Sequence, residues 1–266
     1  MEKSIKFFDF CSGIGGGRIG LERNGFQCVG HSEIDPNTAE TYKRFFNDER
    51  NFGDLTKIKI ESMPDFDMMI AGFPCQSFSI VGKREGFKDS RGQIIYFLIE
   101  IMKKKNIKYF ILENVKGLVN HDKGNTLRTI KKDNETFKRY LSNKYNIEEN
   151  YRIEDILKWE NSVIDYRQSD LRRYEGFFPT LRTGRHGLLY IKNGKIKRLN
   201  GYEALLIQGF PKEIASIVKK DNFFVNNKVL SQAGNAMTVN VIEKIGENIL
   251  KSIKNKKKVY NGKLFD

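Results

Sequence analysis

Cysteine, histidine, tryptophan and proline are all scarce in this chain of 266 residues: three, three, one and five respectively. Cys11, Cys28 and Cys75 form no Cys-x-x-Cys pair, and His31, His121 and His186 stand at no metal-ligand spacing from them. Neither a structural zinc site, which needs four soft ligands closely spaced, nor a disulfide framework is expected. No metal is expected at all. A cysteine in so cysteine-poor a chain is either a small core residue or one kept for reactivity. Apolar runs of roughly 18 residues or more are missing, which excludes a transmembrane helix and leaves no membrane partner expected. No signal peptide precedes the strand-like opening MEKSIKFFDF, so the cytoplasm is the expected compartment. Acidic residues are in deficit, 33 against 47 Lys and Arg, for a net charge of +14. That excess suits a polyanion, because each neutralised phosphate releases condensed counterion; it is equally what a Lys-rich genome composition leaves behind.

What is present alternates strand and helix signals, as a doubly wound, mostly parallel α/β sheet does. Residues 5–10 form an apolar strand, followed by the Gly-rich turn Ser12-Gly13-Ile14-Gly15-Gly16-Gly17 and a short helix that Gly25 stops. A second strand at 27–31 leads to Ser32-Glu33-Ile34-Asp35, where Asp35 caps a helix with Pro36 in its first turn. A third strand ends near Gly53-Asp54, a fourth covers 67–71, and a fifth covers 109–112, with a helix over 94–104 between them. Residues 133–160 are polar and charged, with helical spacing at Ile153, Ile156, Leu157 and Trp159. Strands return at 163–165 and 188–191, the second closed by the hairpin signal Lys192-Asn193-Gly194-Lys195. The last helix, 239–253, carries Val241, Ile242, Ile245, Ile249 and Ile253 as its apolar positions.

Three constellations carry chemistry. In the first turn, glycines allow close approach of a ligand, and Glu33 at the end of strand two is placed to bind ribose hydroxyls. Arg18 stands at the third glycine position of the dinucleotide fingerprint, so a purely structural turn is the competing reading. Sharper is Ala71-Gly72-Phe73-Pro74-Cys75-Gln76-Ser77-Phe78-Ser79, which puts a cysteine in the loop at the carboxyl end of the sheet. A thiolate there can attack an electron-poor carbon. Buried inertness is the competing reading, but polar Gln76, Ser77 and Ser79 oppose it, as does the basic, Gly-punctuated stretch through Gly92. Third, Glu113-Asn114-Val115 ends the fifth strand, and a carboxyl beside a nucleophile can hold a proton for a ring nitrogen once burial raises its pKa.

The order FCSGIGGG, SEID, GD, GFPCQSFS, DSRG, ENV and QAGNAM resembles the motif series of DNA cytosine-5 methyltransferases, of the bacterial restriction–modification type, over residues 6–130 and again over about 179–250. The resemblance implies an S-adenosylmethionine-dependent methyltransferase fold with a smaller, irregular target-recognition lobe. It implies that Cys75 attacks C6 of a flipped cytosine and that Glu113 engages N3 and the amino edge of the ring, while S-adenosylmethionine donates a methyl group to C5. Cys11, Gly13, Ile14 and Gly15 match the cofactor turn, with Cys11 where the family often has phenylalanine. Glu33 matches the ribose ligand, Ile34 the adenine-packing position, and Asp54 and Leu55 the adenine edge. Pro74, Ile94, Asn235 and Met237 match positions lining the same cleft. Gln76, Ser79, Lys83, Arg84 and Arg91 in the loop, with Arg182 and Arg185 later, are the expected DNA contacts; a solvated basic face is the alternative for any one arginine.

One family segment is missing. No Gln-Arg-x-Arg follows the ENV motif, and the strands that should flank it are not visible either. Three explanations stand: an internally shortened, defective relative; a partner chain supplying the strands; or residues lost between about 129 and 135, which a break in the spacing of neighbouring alpha carbons would reveal. The expected division is a cofactor-binding and catalytic domain at 1–132, a recognition lobe at 133–200, and 201–266 returning to the first. The expected substrate is a specific site in double-stranded DNA, acted on by a monomer, with a cognate restriction endonuclease as partner in the system only. The rival readings are a transfer-RNA cytosine-5 methyltransferase and a catalytically defective DNA-binding relative.

Overall fold

The computed structural model describes residues 4–73, 94–113, 153–167, 170–181 and 188–260. The chain divides into two compact units, each described by itself below.

The first unit gathers Met1–Val119, Gln208–Ile217 and Ala236–Asp266. Its sheet contains β1 (Lys6–Phe10), β2 (Gln27–Ser32), β3 (Met68–Gly72) and β4 (Tyr109–Glu113), in the order β2-β1-β3-β4 and parallel throughout. Parallel strands covered on both faces need near-continuous apolar sequence, and KFFDF and MMIAG supply it. Alternation divides β1 between two cores. Phe8 and Phe10 pack with Met69, Ala71, Leu98 and Ile101, the last two from α3 (Ile94–Lys104). Phe7 packs on the other face with Met68, Ile70, Leu21 and Ile242. Those last two side chains come from α1 (Gly16–Glu22) and from the closing helix α8 (Val239–Tyr260), which pack on each other.

α2 (Pro36–Phe46) begins as the sequence predicts. The Asp35 carboxylate accepts from the Thr38 backbone N–H at 2.7 Å, and Pro36 opens the helix. The expected third strand does not form among the described residues. The chain instead makes a single parallel bridge, His31 to Asn51, then two short 3-10 turns at Leu55–Lys57 and Ile60–Ser62. Val241 is the other departure. It is exposed while Ile242 is buried, because one residue is about 100° around a helix and the inward stripe runs through Ile242, Ile245 and Ile249. Phe110 on β4 is 56% exposed, unlike any side chain of β1 or β3.

Asp9 and His31, opposite each other on β1 and β2, are wholly buried. His31 stacks on Tyr42 with ring centroids 3.9 Å apart. Burial holds the imidazole neutral and lowers its pKa to about 4. The folded state thus refuses a proton that the unfolded state takes up near pH 6.5. Stability is full above that value and is lost as pH falls from about 6.5 toward 4. Chemical denaturation of His31→Phe between pH 7 and pH 4.5 is expected to lack most of the decline the parent shows, on the order of 1–3 kcal/mol.

α6 (Lys212–Lys220) follows the second unit's α5 in sequence. The second unit contains Asn120–Ile207 and Val218–Asn235. α4 (Ile153–Leu157) precedes an antiparallel sheet of β5 (Val163–Arg167), β6 (Asp170–Tyr174), β7 (Leu188–Lys192) and β8 (Lys195–Arg198), ordered β6-β5-β7-β8. Asn193 and Gly194 both take positive φ, 54° and 63°, as a tight two-residue hairpin turn requires. α5 (Gly201–Ile207) starts with a reciprocal cap: Asn200 Oδ1 accepts from the Glu203 N–H, and Glu203 accepts from the Asn200 N–H. It packs on α7 (Asn226–Asn235), where Gly201 lies against Val229 and donates its N–H to Asn226.

Candidate active site

The turn between β1 and α1 is held in a shape that side chains rarely allow. Cys11, Gly13 and Gly15 have φ of 48°, 56° and 84°. A β-carbon at Gly13 would meet open space, which is the cradle a bound group needs. Gly16 is the opposite case. A β-carbon there would clash with the Met237 carbonyl oxygen, far inside van der Waals contact distance. Gly16→Ala is therefore expected to cost about 1–3 kcal/mol in chemical denaturation, by forcing the Met237 backbone away from the turn.

Glu33 follows β2 and faces that turn. One carboxylate oxygen accepts from the Gly13 N–H and the other from the Asp35 N–H, both at 2.9 Å. Burial raises its pKa against those two bonds. A carboxylate with two oxygens and about four lone-pair positions can still accept from a diol. Ile34 beside it is 70% exposed, an apolar side chain left free to pack on a flat ring. Asp54 caps the first 3-10 turn through Thr56, and Leu55 is buried beneath it. Ile94, at the start of α3, packs against the core that also holds Phe8 and Leu55. An open cradle, a diol acceptor and an exposed apolar side chain next to that acceptor in sequence fit the nucleoside end of S-adenosylmethionine.

Glu113 closes β4 directly opposite Gly72 in the β3–β4 register. Its carboxylate lies near the place a β-carbon on Gly72 would occupy, as do the Met237 methyl and the Cys11 carbonyl oxygen. The side chain is half-buried, and burial lifts its carboxyl above the usual range. Cys11 itself is a poor nucleophile. Burial, reinforced by Glu33 and Asp9, pushes its thiol up to about 12, and burial likewise pushes Cys28 up to about 11.

Cys11, Gly13, Ile14, Gly15, Glu33, Ile34, Asp54, Glu113 and Met237 thus all belong to one unit, and Asn235 ends α7 in the other. Pro74, Cys75, Gln76, Ser79, Lys83, Arg84, Arg91, Arg182 and Arg185 lie outside the described residues, as does the stretch near Lys132. Sequence reasoning missed the polar brace behind the turn. Arg18 lies 4.4 Å over the Phe46 ring and donates to Asp48 at 2.7 Å. Asp48 is held well below the usual carboxylate range by hydrogen bonds from Arg50 and Arg18. The one signal for it was Arg18 standing where a glycine was expected.

A parallel sheet with the Gly-rich turn after its first strand, and helices on both faces, has the architecture of S-adenosylmethionine-dependent methyltransferases. The fold of Entamoeba histolytica methyltransferase EhMeth is similar, with a TM-score of 0.60 at 15% identity, covering 95% of this chain and 99% of that one. The model of the C-5 cytosine-specific DNA methylase family matches residues 5–147 and 133–251, and the chain belongs to that family. Type II methyltransferase M.BsuFI of Bacillus subtilis is 49% identical over 126 residues, 47% of this chain. The match spans only 31% of M.BsuFI. Type II methyltransferase M.HhaI of Haemophilus parahaemolyticus is 28% identical over 321 positions, covering 94% of this chain and 95% of that protein. Because 321 positions exceed the chain's 266 residues, M.HhaI carries stretches that this chain lacks.

Proposed function

We propose that this chain transfers a methyl group from S-adenosylmethionine to C5 of a cytosine at a specific site in duplex DNA, through a covalent bond between Cys75 and C6 of a flipped base. The observation that carries the reading is Glu113: a half-buried carboxyl with a raised pKa, across from Gly72, just ahead of Pro74-Cys75 in the chain. Bound S-adenosylmethionine supplies an electrophilic methyl group. Glu33 and Ile34 would hold and orient its nucleoside end. The Cys75 thiolate adds to C6, and the displaced electrons move toward N3, where Glu113 donates its proton. C5, now electron-rich, is then placed to take that methyl group, which would break its bond to the sulfonium sulfur and leave S-adenosylhomocysteine. Loss of the C5 proton to a base then expels Cys75 as thiolate, and N3 returns its proton to Glu113. A stacked cytosine cannot offer C6 to a thiol, so the base must leave the helix, at a cost of a few kcal/mol. The net charge of +14 favours the phosphate contacts that would offset this.

The family match breaks into two stretches that meet at 133–147, close to where the Gln-Arg-x-Arg segment is missing from the sequence. That segment's arginine belongs to the cytosine pocket in the family pattern, so transfer by this chain is expected to be slow unless another chain supplies it. Incubation with labelled S-adenosylmethionine and either duplex DNA or transfer RNA tests the reading. Label in DNA supports it, label in transfer RNA replaces DNA as the substrate, and label in neither leaves the defective relative. Bisulfite sequencing of DNA from cells expressing the chain would then read the target.

A further inference from the structure

Asn51 lies outside every motif, yet its side chain closes the ring of contacts around the proposed methyl-donor site. It sits where the chain returns from α2 and bridges to His31 at the end of β2. Its Oδ1 accepts from the Glu33 N–H at 3.0 Å and the Gly53 N–H at 2.9 Å, while its Nδ2 donates to the Glu33 carbonyl at 3.0 Å. The orientation of the amide is fixed by chemistry, since turning it over would set its NH2 against two N–H donors. One side chain thus satisfies both backbone groups of Glu33, as a neighbouring strand would. It also pins Gly53, whose carbonyl accepts from Ser32 at 2.8 Å, and Gly53 immediately precedes Asp54. The segment is anchored at its start by Asp48, through Arg18 on the helix that leaves the cofactor turn.

We infer that Asn51 is a positioning residue for the methyl donor, fixing Glu33 against the Gly13 turn and setting its distance from Asp54 by clamping the backbone of residues 33 and 53. The inference rests on the donor reading given above. Glu33 has two jobs, accepting from Gly13 and meeting a ribose diol, and neither tolerates a backbone free to swing. No strand pairs this position among the described residues beyond the single bridge, so the amide supplies what a ladder would otherwise give.

The test is calorimetric binding of S-adenosylhomocysteine and of its 2′,3′-dideoxy analogue to the parent chain, Asn51→Ala and Asn51→Asp, with thermal unfolding of each. The parent should prefer the diol-bearing ligand. Asn51→Ala should weaken S-adenosylhomocysteine roughly tenfold and the dideoxy analogue, which keeps only the adenine contact near Asp54, far less, and so lose most of the preference. Asn51→Asp keeps both accepting contacts and should fall between. In methyl transfer, KM for the donor should rise with kcat held. Unchanged affinity in a folded Asn51→Ala, or equal loss for both ligands, overturns the inference while the donor reading stands. Should Asn51→Ala fail to fold, Asn51→Asp decides: undiminished preference for the diol overturns the inference. A parent chain that binds neither ligand overturns both.

Discussion

Cys75→Ala is expected to abolish methyl transfer, by on the order of 10⁴-fold or more, and to end covalent capture of DNA containing 5-fluorocytosine. In that analogue fluorine replaces the C5 proton, so the proposed adduct cannot resolve. Denaturing electrophoresis of the parent chain with the analogue and S-adenosylmethionine should show a species shifted by the mass of the oligonucleotide. The assignment to this residue is sharp because the alternatives are weak. Cys11 and Cys28 are both pushed to about 11 or 12 by burial and stay protonated at neutral pH. If Cys75→Ala still forms the adduct, another nucleophile is at work and the mechanism is wrong.

Glu113→Gln is expected to lower kcat/KM by about 10²–10⁴-fold with little change in the affinity for S-adenosylhomocysteine. Its effect on pH dependence is the more telling result. The parent needs Glu113 protonated to serve N3, so its activity should hold below the raised pKa of this carboxyl and fall as pH climbs through it. The glutamine variant has no proton to lose there, and that alkaline limb should vanish. A variant that keeps the limb would show that a different group sets it. A variant with full activity would remove Glu113 from the chemistry.

Much of the first unit was legible because its signals are local. Phe7, Phe8 and Phe10 announce a strand buried on both faces and Asp35-Pro36 announces a helix start, while in the second unit Asn193-Gly194 announces a hairpin. Glu33 and Glu113 could be singled out as candidates in a similar way, as acids at the carboxyl ends of strands. The expected third strand, ending near Gly53-Asp54, failed because Asn51 and Asp54 spend their side chains on backbone N–H groups and curl the chain into turns. The β6 strand was hidden by DLRRY, whose charges read as loop although it pairs with β5 along its whole length. The brace of Arg18, Asp48 and Asn51 was invisible for a different reason. Its members are 30 and more residues apart, or read as ordinary turn residues after a helix, and only the folded chain joins them.

The carbonyl of Met237 resting on Gly16 and the packing of α8 on α1 also govern when the donor site can exist. A ribosome releases the glycine turn long before its covering helix, so for that interval of translation the nascent chain has the turn without the wall that shapes it. Until α8 has been made, the growing protein lacks one wall of its proposed nucleoside site, and loss of that helix would disarm a turn far from it in the sequence.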